Sequence, residues 1–152
     1  MSEYSESTTE FKDADLLITA LAAVGYTTVE NCIGNRQPLV GFQGDYRTLD
    51  GEGHTKDPNK ALKADIIVRR KHVGGASNDL GFVKGDDGKF RAIISAYDSS
   101  RHNATWLAKV KGEYAEANVV RNMKRAGVRI TGRTTRQNEQ GQEEAVYSYV
   151  RN

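Results

Sequence analysis

Asp65 and Asp79 are the two carboxylates whose surroundings could do chemistry. Each stands at the head of an apolar run, and Arg69 and Arg70 follow the first of them closely. A buried, adjacent carboxylate pair serves acid–base chemistry or binds a hard cation. The plainer reading makes Asp65 a strand-edge residue and pairs Asp79 with Arg69 or Arg70 across a ladder. Asp65, Arg69 and Asp79 are therefore expected as a polar cluster, catalytic only if the two acids meet.

Other reactive types are sparse. The histidines His54, His72 and His102 sit in or beside loop-like stretches, and none has the one-turn spacing of a zinc pair, so exposed loop histidines and no metal site are expected. Cys32 is the single cysteine, so no internal disulfide exists and a reducing compartment is expected. It lies in an apolar segment and reads as a buried small side chain. Gly74-Gly75 is followed by Ala76-Ser77-Asn78-Asp79 and a strand, not by the lysine–hydroxyl pair and helix of a phosphate loop. No cofactor is expected from these motifs.

The strongest functional lead is charge. Residues 1–30 carry six acids against Lys12, a net of −5, whereas residues 101–136 carry nine bases against two acids, a net of +7. Such separation speaks of partners rather than fold. Lys109, Lys111, Arg121, Lys124, Arg125, Arg129 and Arg133, with Arg136 beyond them, could track a phosphate backbone or an acidic protein. Strand periodicity puts Arg129 and Arg133 on one face, and Tyr147 and Tyr149 on one face of the adjoining strand, where they could stack bases or simply pack.

The elements that must hold these residues follow from periodicity. Asp13 reads as the N-cap of a helix with Leu17, Ala20, Leu21 and Val24 on one side, closed by Gly25. Strands are expected at 5–11, at 26–32 and, by alternation of Val40, Phe42 and Gly44, at 39–46. Residues 47–63 have no periodicity and read as a long surface loop. Residues 64–71 form a strand whose Ile66-Ile67-Val68 is covered on both faces. Strands at 80–84 and 89–97 flank Asp87-Gly88 as a hairpin. A second helix runs from about 105 to 126 with Gly112 as a candidate break, and a hairpin of 128–137 and 143–151 ends the chain. The order is β-α-β-β-β-β-β-α-β-β, an α+β fold with two helices packed on a mostly antiparallel sheet, in one domain over 1–152.

These stretches are similar to a family of uncharacterised proteins, the conserved hypothetical chloroplast reading frame number thirty-five of algal plastids and cyanobacteria, with relatives in other bacteria and in phages. The similarity is carried by Phe11-Lys12-Asp13, Leu21 with Gly25-Tyr26, Val40-Gly41-Phe42-Gln43-Gly44, Ala64 through Arg70, Asp79-Leu80-Gly81-Phe82, Asp87-Gly88 and Tyr114-Ala115. Where family members often carry histidines, this chain has Glu3 and Ala117, so no role of those histidines carries over. The resemblance implies fold and compartment: cytoplasm, plastid stroma, or host cytoplasm for a phage-encoded chain. It brings no activity.

No apolar run reaches the ~18 residues of a membrane span, and Met1 to Glu10 lack the basic start and apolar stretch of a signal peptide. Three functions stay open. The leading one is a small non-enzymatic accessory protein that docks an acidic partner or a second copy of itself. The next is a nucleic-acid-binding module that uses the basic residues of 109–136 on RNA or DNA. The third is an enzyme built on Asp65 and Asp79.

Overall fold

The computed structural model describes residues 3–151, which fall into two compact units parted after Tyr114. In chain order the first holds β1 (Tyr4–Thr8), α1 (Ala14–Ala23), β2 (Glu30–Asn31), β3 (Gln37–Pro38), β4 (Tyr46–Arg47), β5 (His54–Thr55), β6 (Lys63–Ala64), β7 (Ile66–Val68), α2 (Arg70–Val73), β8 (Leu80–Lys84) and β9 (Phe90–Ser95). The long helix α3 (Ala104–Arg125) begins in this unit and ends in the second, which adds β10 (Val128–Gln137) and β11 (Glu143–Arg151).

A five-stranded sheet of order β1-β9-β8-β7-β2 forms the frame, and every pairing in it is antiparallel. One face carries Ile66, Val68, Leu80, Phe82, Phe90, Ala92 and Ile94 against Leu17 and Leu21 of α1 and Val110 of α3. Burying a phenylalanine or leucine there contributes roughly 1.5–3 kcal/mol. The opposite face presents Tyr4, Ile67 and Ile93 to Leu39 and Ala64. The β-branched run of β7 is thus covered on both sides, as its composition requires. Gly81 lies under this second layer, where an added Cβ would come within 2.9 Å of both Ala64 Cβ and Leu39 Cδ2. Close approach of the two layers depends on the missing side chain.

The α+β architecture agrees with the sequence reading, and so do the two long helices. Asp13 caps α1 by accepting from Leu16 N at 3.0 Å, and Gly25 takes φ 109° beyond its end. Gly112 leaves α3 unbroken, because the helix interior tolerates a glycine at about 1 kcal/mol.

The differences lie in the middle. The expected strand at 26–32 shrinks to Glu30–Asn31; Tyr26 N instead donates to Leu21 O at the end of α1 at 2.8 Å, and its hydroxyl meets His102. The expected strand at 39–46 is replaced by a turn between Val40 and Tyr46, where β4 begins: Gly41 N donates to Asp45 O at 2.8 Å and Gly44 N to Gly41 O at 2.9 Å, leaving Phe42 49% exposed. Residues 47–63 hold short strands and a 3-10 turn at Pro58–Lys60, with Arg47 and Ala61 buried. The strand expected to reach Lys71 stops at Val68, since Asp79 captures Arg70 N and winds the chain into α2.

In the second unit β10 and β11 pair antiparallel from Val128↔Arg151 to Gln137↔Glu143. A bulge between Ile130 and Gly132 puts one extra residue on β10. None of the described residues from 115 onward is fully buried.

Candidate functional site

Antiparallel register gathers a polar centre at one end of the five-stranded sheet. Arg69 follows β7, Asp79 precedes β8, Ser95 ends β9, and Tyr4 starts β1 opposite Ser95. The Asp79 side chain is 0% exposed. Its Oδ2 accepts from Val40 N at 2.8 Å and Arg69 Nη1 at 2.7 Å, and its Oδ1 from Arg70 N at 2.6 Å. Arg69 also grips Glu30 through Nε at 2.5 Å and Nη2 at 3.1 Å, and donates to Pro38 O at 3.0 Å. The Glu30 bond, followed by Asp79, raises the Arg69 pKa, and the same guanidinium holds Glu30 below the usual carboxylate range. Two anions fix one permanent cation, and the loop carrying Val40 is stitched to the sheet end.

Deeper in, Asn78, Ser95 and Asp98 form a buried network. Asp98 is 2% exposed. Its Oδ2 accepts from Ser95 Oγ at 2.7 Å and Asn78 N at 3.1 Å, while Asn78 Nδ2 donates to Ser95 Oγ at 3.0 Å. Arg101 stands 3.7 Å from Asp98 Oδ1. Burial pushes the Tyr4 hydroxyl far up, and Asp79 and Asp98 push it further, so it is a neutral phenol at any working pH. His102, expected exposed, is buried instead. Its Nε2 meets Tyr26 Oη, its ring sits edge-on to Trp106 at 4.7 Å, and burial lowers its pKa.

Asp65 is elsewhere. It accepts from Arg36 Nε at 3.0 Å and Lys84 N at 2.7 Å at the other end of the β7–β8 pair. The register sets Asp65 opposite Val83 and Asp79 opposite Arg69, a separation of about 13 Å at strand rise. The two carboxylates are not brought together, while the expected pairing of Asp79 with Arg69 is present. Among the described residues no group of three or more His, Cys, Asp or Glu could hold a metal ion. Cys32 is half-buried and its thiol is raised, chiefly by desolvation.

Over the Arg69–Asp79 pair lies an open cleft of about 470 Å³ between β3, the 40–46 turn and α2. Pro38, Val40 and Tyr46 supply its apolar wall; Arg69, Arg70, Lys71 and Asp79 supply its charges. The Arg70 guanidinium is held by Ser77 O at 3.1 Å and Gly75 O at 3.2 Å and lies 5.5 Å from the exposed Phe42 ring. Lys71 is exposed beside it.

The basic set proves divided. Lys109, Lys111, Lys124 and Arg125 are exposed on α3, and Arg121 is half-buried. The bulge overturns the expected face sharing of β10. Arg129 pairs with Val150 and Arg133 with Tyr147, so the extra residue sends Arg129 and Arg133 to opposite faces and puts Arg129 with Arg136. Tyr147 and Tyr149 share a face with Arg133. Glu116 engages Arg133 at 2.7 and 3.0 Å, and Glu144 engages Arg136 at 2.7 Å.

The features that sequence reasoning missed are Tyr4, Asn78, Ser95, Asp98 and the contact of Arg70 with the Phe42 ring. The polar run Asp98-Ser99-Ser100-Arg101 soon after an apolar strand is the one signal that marks a turn there. No helix of the described residues is long and apolar enough to cross a membrane. No curated protein and no solved structure matches the chain. A family model described as "Protein of unknown function (DUF1257)" matches residues 35–146, a span that includes the cleft, Asp79 and Asp98, and the chain belongs to that family.

Proposed function

We propose that this protein is a non-enzymatic interaction module that receives an acidic polypeptide segment in the cleft above Arg69 and Asp79. The observation that supports this most is the makeup of the cleft mouth. Arg70 is held by two carbonyls and stacked on Phe42, with Lys71 exposed beside it and Tyr46 on the wall. Arginine and tyrosine are among the side chains that carry most binding energy at protein interfaces. With Arg69 engaged by Glu30 and Asp79, Arg70 and Lys71 are the cations left at the mouth, and they favour an anionic guest. Asp79 and Arg69 act as the fixed floor, being already engaged with one another. The narrower kinship with the plastid reading frame, and work in a cytoplasm or stroma, belong to the same proposal and rest on the anchor segments and the single cysteine.

The test is the affinity of a labelled glutamate-rich peptide by fluorescence anisotropy. The wild type binds, and a double reversal of Arg70→Glu with Lys71→Glu abolishes binding, while Lys124→Glu with Arg125→Glu leaves it intact. Single-stranded RNA is the second arm. RNA affinity that falls steeply with salt and is lost in the Lys124/Arg125 variant would replace this reading with the nucleic-acid one through Lys109, Lys111 and the 121–136 residues.

A further inference from the structure

The second unit presents a feature that the cleft does not use. Among the described residues β11 pairs with β10 alone, so its outer edge is open. Tyr149 and Val150 on it are 55% and 41% exposed. A piece of chain this small, with no fully buried residue, ordinarily needs a partner to hold its shape.

The ladder fixes which backbone groups face outward. Asn138 N donates to Gln142 O, so hydrogen bonding to β10 alternates from that pair along β11. Glu143, Ala145, Tyr147, Tyr149 and Arg151 therefore turn their N–H and C=O groups away from β10. We infer that β11 pairs antiparallel with β11 of a second copy about a two-fold axis through Tyr147, making a four-stranded sheet β10-β11-β11-β10.

The sequence of this edge is self-complementary in that register. Glu143 falls opposite Arg151 of the second copy, twice by symmetry, and Tyr149 falls opposite the small Ala145. Tyr147 meets its own copy on the axis, and Val146 faces Ser148. All five outward-facing residues find outward-facing partners. The other edge of the ribbon opposes such pairing, because β10 carries Arg129, Arg133 and Arg136 and no acid.

The test is molar mass by light scattering and Kd by sedimentation across concentration, on the full chain, with circular dichroism to show that each variant is folded. The wild type forms a dimer. Glu143→Arg and Arg151→Glu each weaken it by about tenfold or more, since two attractive contacts become two repulsive ones. The combined Glu143→Arg/Arg151→Glu variant recovers the wild-type Kd. A wild type that stays monomeric at its highest soluble concentration, or single reversals that leave the dimer unchanged, or a combined variant no tighter than the singles, overturns the inference. None of these outcomes touches the cleft, so the peptide-binding result stands or falls separately.

Discussion

Removing the Asp79 carboxylate is expected to cost more stability than removing that of Asp65. In Asp79→Ala, Val40 N and Arg70 N lose their acceptor, and Arg69 loses one of its two anions. A buried donor left unmatched costs about 1–3 kcal/mol, and a broken buried pair about 3–5 kcal/mol. Arg69 keeps Glu30 and Pro38 O and is 24% exposed, which discounts the second figure. A loss of about 4 kcal/mol results. Asp79→Asn retains one acceptor oxygen and should lose about 2–3 kcal/mol. Asp65→Asn should lose only about 1–2 kcal/mol, because its partner Arg36 is 47% exposed and one backbone donor depends on it. Urea unfolding followed by the single tryptophan reads this directly, since Trp106 packs on His102 and Tyr26 within the same unit. An Asp79→Ala variant within 1 kcal/mol of wild type, or a larger loss from Asp65→Asn, would refute the reasoning.

Further expectations follow from single positions. Gly81→Ala forces a methyl against Leu39 and Ala64 and should destabilise the first unit by about 1–3 kcal/mol in the same assay. His102 is depressed by burial, so the unfolded chain takes up its proton at a higher pH than the folded one. Stability should therefore fall as pH drops below about 6.5, and His102→Gln, which keeps a polar partner for Tyr26, should flatten that limb. Cys32 is half-buried with a raised thiol, so it should react with a disulfide reagent more slowly than a free thiol at pH 8, and equal rates would contradict its placement.

Much of the frame was legible from the residues because local rules and packing agree there. The apolar spacing of α1 with Asp13 and Gly25, the Asp87-Gly88 hairpin and the Ile66-Ile67-Val68 run each specify one solution. The middle misled because its pattern satisfied a rule that long-range contacts override. Val40-Gly41-Phe42-Gln43-Gly44 alternates like a strand, yet Val40 N and Phe42 N are claimed by Asp79 and Asn78, and the segment turns. Residues 47–63 hide buried Arg47 because a charged residue in a polar stretch announces no burial. The polar surroundings of His102 hide its burial for the same reason; its partner Tyr26 lies seventy-six positions earlier. The β10 bulge leaves no mark beyond Gly132, and one extra residue there is enough to reverse which arginines share a face.

Recognition of a partner through the cleft is the central proposal. Backbone amide shifts recorded while a glutamate-rich peptide is added measure this most directly. The largest changes should fall at Phe42, Tyr46, Arg70 and Lys71 and fade as salt rises. Changes confined to Lys109, Lys111 and the 121–136 residues, or no changes at low salt, would contradict it.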